Sequence, residues 1–515
     1  MMSVDQSPTR APVRPPTTGL RTSPLRALLL RVHFWAGLLV GPFLLVAALS
    51  GFLYTLTPSI EPVLYRDVLT VPAAPTSLPL ADQIAAGQAA VPGAELSSVR
   101  PAPTPADTTR VIFAAPDLGD SSHYRTAFVD PHTGAVTGVL PTYGGSQALP
   151  LREWVDQLHD NLHLGDPGRL YAELAASWLW VLALGGLVLW VGMWRRRRAS
   201  VRALVLPRNA TGRRARLLSW HGTVGLWSVI GLLFLAATGL TWSTYAGANV
   251  TALRGALAWD TPSPAATLPG ATAGADATGE HAGHAATGGM AGMDMGSMPG
   301  APAVPAPAAP PASVDPAAGI DAAYSAALRA GLTAPMEIVP SAEPGATTSV
   351  AEISRVVSGS DPVVGPLQGL RASAHLDAVA VDPSSGTVVD TVRFADWPLM
   401  AKLARWGVDA HMGMLFGVAN QVVLAALALG LACGIVWGSV LWWRRGPGRR
   451  GGTVPPRGAF LALSWPWRAG VLAATVLVAV ALPLLGASLL IFLAADAASG
   501  GRRPAVEERR VPSVR

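Results

Sequence analysis

Five of the ten histidines lie beside long apolar segments, where an imidazole needs a chemical reason to be present. An unpaired polar group in a hydrocarbon environment is destabilising by several kcal/mol. Ligation of haem iron is one such reason, because pairs of histidines on facing helices of a bundle are a known way to hold that metal. The candidate ligands are His33, His221, His159, His163 and His411.

The first two of these histidines belong to an internal duplication. Residues 33–53 and 221–241 both begin with histidine, and glycines recur at the same offset, since 221 − 33 = 188 and 239 − 51 = 188. A lone histidine at the end of a membrane helix is more often an interfacial residue that hydrogen-bonds to headgroups or backbone. A duplicated pair at one face, with further histidines at the other, instead favours ligation. The nearby glycines suit both the approach of a flat macrocycle and close helix packing.

The partner of His411 is left open by the sequence. His159 and His163 are four residues apart in LHDNLHLG, so they share one face if the segment is helical. Matching Asp130 of one half with Asp382 of the other pairs His159 with His411. Matching the two Pro-Leu dipeptides instead pairs His163 with His411.

The composition indicates an integral membrane protein. The 515 residues are 50% hydrophobic and only 14% charged, which is too apolar for an ordinary soluble protein of this size. The net charge of +6 does not indicate a nucleic-acid binder, because the arginines gather at the ends of apolar segments. The single cysteine, Cys433, excludes a disulfide framework and a thiolate metal site.

The apolar segments predict four core membrane helices and a fifth C-terminal one. A span needs about 20 apolar residues to cross roughly 30 Å of hydrocarbon. Arginines precede the first span and follow the second and fourth, which predicts a cytoplasmic N-terminus. The spans are expected at 32–58, 167–194, 221–245, 411–443 and 470–496, with cytoplasmic loops at 195–219 and 444–468 and tails at 1–24 and 497–515. Arginines in the last tail leave a re-entrant hairpin at Pro483 and Gly486 as the alternative to the fifth span.

Each half also carries an α+β segment outside the membrane. Residues 59–165 and 246–410 contain helical patches and short alternating stretches, and VDPHTG and VDPSSG mark equivalent hairpin turns. The predicted fold is therefore a membrane α-helical bundle, with four core helices from an internal duplication plus a fifth helix, and two small α+β extracytoplasmic domains. We expect solvated side chains at His123, His132 and His375 in these domains.

A low-complexity insert at 262–315 interrupts the second domain. Imidazoles and thioethers at short flexible spacing suit cuprous or silver ion, and methionines are concentrated here. Plain low complexity in a linker is the alternative. The segment is similar to methionine-rich segments of periplasmic copper-handling proteins. Its candidate metal ligands are His281, His284, Met290, Met293, Met295 and Met298.

Four motifs together resemble a known family. They are LHDNLHLGDPGRLYAELAASW at 158–178, DAHMGMLFGVANQ at 409–421, the VDPHTG and VDPSSG turns, and WHGTVG at 220–225. The chain resembles bacterial membrane proteins with PepSY-associated transmembrane helices, a superfamily that includes iron-regulated membrane proteins and ferric-siderophore reductases. The resemblance implies a plasma-membrane protein with PepSY-like outer domains and, in the reductase branch, two b-type haems held by histidines at the two faces.

Several enzyme classes have no residues to support them. No dinucleotide fingerprint, P-loop, H-E-x-x-H or G-x-S-x-G motif occurs, so electrons must come from a quinol or a partner protein. The leading hypothesis is a transmembrane metalloreductase. An inner haem on His33 and His221 accepts an electron, and an outer haem on His411 with His159 or His163 passes it to ferric siderophore iron or cupric ion. The alternative is a non-catalytic membrane module that binds a partner and buffers copper.

Overall fold

A computed structural model describes residues 23–119, 121–208, 210–269, 317–340, 343–353, 376–444, 455 and 457–500. Long apolar helices and one antiparallel sheet make up this part of the chain. The helices are α1 (Pro24–Leu39), α2 (Gly41–Tyr54), α3 (Thr57–Leu64), α4 (Arg66–Leu69), α5 (Leu80–Ala90), α6 (Pro150–Asn161), α7 (Asp166–Arg197), α8 (Arg202–Val205), α9 (Arg213–Leu240), α10 (Thr244–Ala256), α11 (Ile320–Arg329), α12 (Leu399–His411), α13 (Val418–Trp443), α14 (Trp465–Ala481) and α15 (Pro483–Gly500). The strands are β1 (Leu96–Arg100), β2 (Thr109–Ala114), β3 (His123–Val129), β4 (Val136–Tyr143), β5 (Met336–Val339), β6 (Thr348–Glu352), β7 (Ala378–Asp382) and β8 (Thr387–Val392).

Three helices among the described residues, α7, α9 and α13, are long and apolar enough to cross a membrane. The pair α1 and α2 passes the same test as one broken span. α7 packs against α9, α9 against α13, α13 against α2, and α2 against α7, so the four close a ring. Their inner faces bury apolar side chains, among them Phe43, Leu179 and Leu232.

The first span is bent, whereas the sequence predicted one continuous helix over 32–58. α1 and α2 meet at an angle of 61°. Pro42 lies in the first turn of α2, and proline both lacks a backbone N–H and clashes with the carbonyl one turn earlier. The 188-residue offset places Ile230 at the equivalent position of α9, since 230 − 42 = 188. The helix α9, which has no proline there, continues unbroken.

The expected fifth span over 470–496 is two helices. α14 ends at Ala481 and α15 begins at Pro483, and the two pack against each other. A Cβ on Gly486 would lie 2.2 Å from Cβ of Ala479, so the close approach of the two helices depends on this glycine. A buried ion pair between Arg31 and Asp496 connects α15 to α1. The break falls at Pro483, where the sequence left a re-entrant hairpin as the alternative to a single helix, because proline cannot continue α14.

The two α+β segments form one sheet and not two separate domains. The strand order is β4-β3-β2-β1-β5-β6-β7-β8, and β1 pairs with β5 in antiparallel fashion at Val99 and Ile338. The sequence-based expectation of two domains was therefore incomplete, since each half alone would leave its first strand as an unpaired edge. Arg100 and Glu337 form an ion pair of 3.0 Å across this junction. Helices α5 and α11 cover one face and share a single apolar core with it.

A short helix precedes the second span of each half. α6 leads into α7, and α12 leads into α13. α6 packs against α2 and α7, while α12 packs against α9. The predicted fourth span over 411–443 starts later in the structure, because α12 ends at His411 and α13 begins at Val418. By itself, α13 is long and apolar enough to cross a membrane. α6 carries His159, and α12 ends at His411.

Two candidate cofactor sites in the helix bundle

Two cavities lie inside the bundle, at opposite ends. The sheet-distal cavity has a volume of about 400 Å³ and is lined by His33 and His221. The sheet-proximal cavity has a volume of about 270 Å³, is lined by His159 and His411, and borders residues 143–146 after β4. The structure therefore brings four of the five predicted histidines together in two pairs.

His33 and His221 face each other in the sheet-distal cavity. Their ring centres are 6.3 Å apart, and the ring planes are 80° apart. The two imidazoles are thus placed so that both could ligate one metal or cofactor bound between them. Nδ1 of His221 donates to the carbonyl oxygen of Gly434 at 2.9 Å, which leaves Nε2 as the basic nitrogen. His33 lies against the backbone of Leu182, although its Nδ1 completes no hydrogen bond within the described residues.

The histidines of the sheet-proximal cavity each meet a hydroxyl group. Nδ1 of His411 lies 2.6 Å from Oγ1 of Thr238, and Nδ1 of His159 lies 3.2 Å from Oγ of Ser50. Each hydroxyl donates its own proton to a carbonyl one turn earlier, at 2.8 Å for Ser50 and 2.9 Å for Thr238. The hydroxyls therefore accept from the imidazoles, and both rings carry the proton on Nδ1. Nε2 of each ring is left as a free base, the form that ligates metal.

Each sheet-distal imidazole packs against a glycine of a neighbouring span. A Cβ on Gly186 would lie 3.1 Å from Cε1 of His33, and a Cβ on Gly438 would lie 3.6 Å from Cε1 of His221. The two glycines are related by 438 − 186 = 252. The absence of side chains at these positions leaves the rings room beside the helix backbones.

The sheet-proximal imidazoles follow the same rule. A Cβ on Gly51 would lie 3.2 Å from Cε1 of His159, and a Cβ on Gly239 would lie 3.7 Å from Cε1 of His411. The glycines are related by 239 − 51 = 188, and the histidines by 411 − 159 = 252. Each half of the bundle thus contributes two reciprocal contacts between histidine and glycine, one toward each end.

His163 lies outside both cavities. α6 ends at Asn161, and Leu162 and His163 have positive φ angles of 58° and 55°. The expectation that His159 and His163 share a helix face is wrong, because these two left-handed residues end the helix between them. His163 instead packs against Trp154, with ring centres 5.1 Å apart. Of the two alternatives that the sequence left open, His159 is the residue placed with His411.

Acidic groups border the sheet-proximal cavity. Burial raises the pKa of Asp156 to about 7, and the neighbouring Asp160 acts in the same direction. Burial likewise raises the pKa of Asp160, against the opposing effect of Arg169. Glu173 also lines the cavity and accepts backbone hydrogen bonds from the start of α10, at 2.9 Å from Ala246. The sheet-distal cavity is bordered instead by Arg26.

Two histidines of the sheet make defined contacts, contrary to the expectation of solvated side chains. Nε2 of His123 lies 3.0 Å from a carboxylate oxygen of Glu153 and so connects β3 to α6. His132 has Nδ1 2.6 Å from the carbonyl oxygen of Thr76 and Nε2 2.8 Å from that of Pro105. These carbonyls raise the pKa of His132. His375 lies outside the described residues.

The described residues contain no group of three or more His, Cys, Asp or Glu side chains that could hold a metal ion. A pair of histidines suits a cofactor that brings most of its iron ligands with it, as haem does. The predicted copper ligands of the insert lie outside the described residues, so copper capture stays a prediction. They are His281, His284, Met290, Met293, Met295 and Met298.

Sequence reasoning missed the hydroxyls and half of the glycines. Ser50 and Thr238 are related by 188, so the duplication itself held a signal for them. Gly186 and Gly438 are related by 252, the offset that matches Asp130 with Asp382. Extending either alignment along the spans would have found these pairs.

The chain matches a known protein family. The model of the family described as PepSY-associated TM region matches residues 30–445, a stretch that contains both histidine pairs. No curated protein matches the chain.

Proposed function

The chain belongs to the PepSY-associated TM region family, and from this premise we propose that it is a di-haem b transmembrane metalloreductase of a bacterial plasma membrane. With the N-terminus in the cytoplasm, electrons enter at the sheet-distal site from a quinol or a reductase protein. They leave at the sheet-proximal site to extracytoplasmic ferric siderophore iron or cupric ion. The observation that carries the proposal is the pairing of four imidazoles in two cavities beside glycines.

The residues present fit the cofactor. One haem would be held by His33 and His221, and the other by His159 and His411. Bound haem supplies one-electron chemistry, whose potential depends on axial ligands, hydrogen bonds and burial. The chain supplies basic Nε2 atoms, which the hydrogen bonds of Nδ1 to Gly434 and Thr238 hold in the ligating tautomer.

The charges at the two ends support the direction of transfer. Asp156, Asp160, Glu173 and Arg169 border the sheet-proximal cavity, so acidic groups outnumber basic ones there, while Arg26 borders the sheet-distal one. Ionised carboxylates attract a cationic metal substrate. Because the pKa values of Asp156 and Asp160 are raised, this attraction increases as pH rises. Arginines near the other end, Arg195 to Arg198 at the end of α7, match the cytoplasmic excess of positive charge in membrane proteins.

The test is spectroscopic and begins with the purified protein from haem-supplied cells. A reduced-minus-oxidised spectrum should show b-type haem, and pigment analysis should give two haems per chain. His33→Ala or His221→Ala should remove one haem, and His159→Ala should remove the other. His163→Ala is the matched control and should keep both. Reduction assays should then compare ferric chelates with cupric ion.

Absence of haem bands in a folded, haem-supplied preparation would overturn the proposal. The non-catalytic module that binds a partner and buffers copper would then be the better description. Loss of both haems from each single variant would contradict the assignment of two separate sites.

A further inference from the structure

Four leucines separate the two cavities. Among the described residues, Leu44, Leu179, Leu232 and Leu431 are the ones that line both. One comes from each of the helices α2, α7, α9 and α13. They obey the two offsets of the duplication, since 232 − 44 = 188 and 431 − 179 = 252. The layer is thus a symmetric element of the ring, with one contribution from every core span.

The four side chains pack in the interior. Leu44, Leu179 and Leu232 are 4%, 7% and 7% exposed, and Leu431 packs against the same apolar cluster. Leucine offers no donor or acceptor, and a buried water needs two to four polar partners to be held. The layer therefore gives water no place to bridge from one cavity to the other.

The layer lies between the histidine pairs. Along α7, Leu179 is seven positions before Gly186, which contacts the sheet-distal His33. Along α9, Leu232 is six positions before Thr238, which contacts the sheet-proximal His411. At about 1.5 Å per residue, each of these steps along a helix is about 10 Å.

We propose that these four leucines form a water-tight septum, which divides the bundle interior into two compartments open to opposite sides of the membrane. The septum blocks protons and ions. If the proposed haems occupy the two sites, only electrons can pass between them. The barrier itself follows from the leucines and the cavities and does not rest on the proposed function.

Cysteine accessibility tests the septum in the full chain. Cys433 is the only cysteine of the sequence, so Cys433→Ser provides a cysteine-free background. Ser146→Cys lines only the sheet-proximal cavity, and Met193→Cys lines only the sheet-distal one. A charged thiol reagent that cannot cross the membrane should label each of these cysteines from one side of sealed vesicles about 100-fold faster than from the other, with opposite sides for the two, because a thiolate reacts only where water and reagent reach it. Labelling of both cysteines from the same side at similar rates would overturn the proposal.

A proton-leak measurement tests the consequence. Leu44→Asn/Leu232→Asn protein in liposomes with an internal pH dye should leak protons about 10-fold faster than wild type, because paired amides give water the partners that leucines lack. Leu184→Asn is the matched control, since Leu184 is 44% exposed on α7 and lines neither cavity. A wild-type leak rate in the folded double variant would contradict the septum. Neither measurement needs haem. A preparation without haem bands would therefore overturn the proposed reductase function but would not affect the test of the septum.

Discussion

Nδ1 of His411 lies 2.6 Å from Oγ1 of Thr238, a residue of the neighbouring span α9. The hydroxyl of Thr238 donates its proton to the carbonyl oxygen of Phe234 at 2.9 Å. The imidazole of His411 is therefore the donor in its contact with Thr238. The contact fixes both the orientation and the tautomer of the ring. In metal sites, loss of such an outer hydrogen bond lowers the affinity for the metal by roughly 10–100-fold.

The first prediction concerns this hydroxyl. Thr238→Val keeps the shape of the side chain but removes the acceptor, and it should weaken haem retention at the sheet-proximal site by about 10-fold. Haem stoichiometry after gel filtration and a redox titration would measure the loss. The sheet-distal haem should be unchanged. Thr241→Val is the control, because Oγ1 of Thr241 donates to a backbone carbonyl at 2.6 Å and touches no histidine. Equal effects of the two valines would contradict the role of Thr238.

The second prediction uses two adjacent glycines of α7. A Cβ on Gly186 would lie 3.1 Å from His33, whereas a Cβ on Gly185 would have no neighbour within 4 Å. Gly186→Val should therefore displace His33 and remove the sheet-distal haem, while Gly185→Val should retain it. The helix propensities of the two substitutions are matched, so the haem spectra report the local contact alone. Retention of both haems in Gly186→Val would show that the packing of His33 is not needed.

The sequence predicted the pairing of the histidines better than the surrounding fold. The 188-residue offset can be read from the sequence and relates His33 to His221 and Gly51 to Gly239. It does so because a duplicated span preserves its spacing. The choice between His159 and His163 could not be read in the same way. It depends on two residues with positive φ, Leu162 and His163, and leucine gives no local signal for that conformation.

Local sequence patterns also could not predict that the strands of the two halves join in one sheet. Each hairpin could be predicted from its alternating residues and turn, but the pairing of Val99 with Ile338 joins strands 239 residues apart, since 338 − 99 = 239. Such contacts depend on the whole fold. By contrast, the bend at Pro42 had a sequence signal, since proline within an apolar helix predicts a break.

The third prediction is a pH dependence in the sheet. Both ring nitrogens of His132 face carbonyl oxygens, of Thr76 at 2.6 Å and Pro105 at 2.8 Å, and this raises its pKa. The stabilisation is fully present below the ordinary histidine pKa of about 6.5 and is lost as pH rises through the higher pKa of the folded protein. Thermal unfolding should therefore shift to lower temperature as pH rises from about 6.5. His132→Gln should flatten this dependence, and an unchanged slope in that variant would refute the assignment.

The fourth prediction tests the attachment of the C-terminal helices. Asp496 is fully buried, pairs with Arg31 and accepts a backbone hydrogen bond from Phe460 at 2.9 Å. Asp496→Ala removes the carboxylate that pairs with the guanidinium, which keeps its hydrogen bond to the carbonyl oxygen of Pro455 at 2.9 Å. Breaking a buried ion pair in this way costs about 3–5 kcal/mol. Thermal unfolding in detergent should show the loss. Arg31→Met/Asp496→Leu should recover most of it, because an apolar pair of similar volume needs no counter-charge. A double variant as unstable as the single one would show that the backbone contacts of Asp496 matter more than the ion pair.

The last prediction concerns the insert, which is separate in the sequence from every span and strand described above. Deletion of residues 281–298 removes two histidines and four methionines, whose imidazoles and thioethers suit cuprous ion. Copper binding, measured by equilibrium competition with a cuprous chelator, should fall, while the haem spectrum should stay as in wild type. Replacing Met290, Met293, Met295 and Met298 by leucine keeps the length and apolar character of the segment and removes only the thioethers. If the leucine variant binds copper as wild type does, the methionines accumulate there as linker composition and not as ligands. If copper binding falls in both variants and cupric reduction persists, capture and reduction are separate activities of one chain.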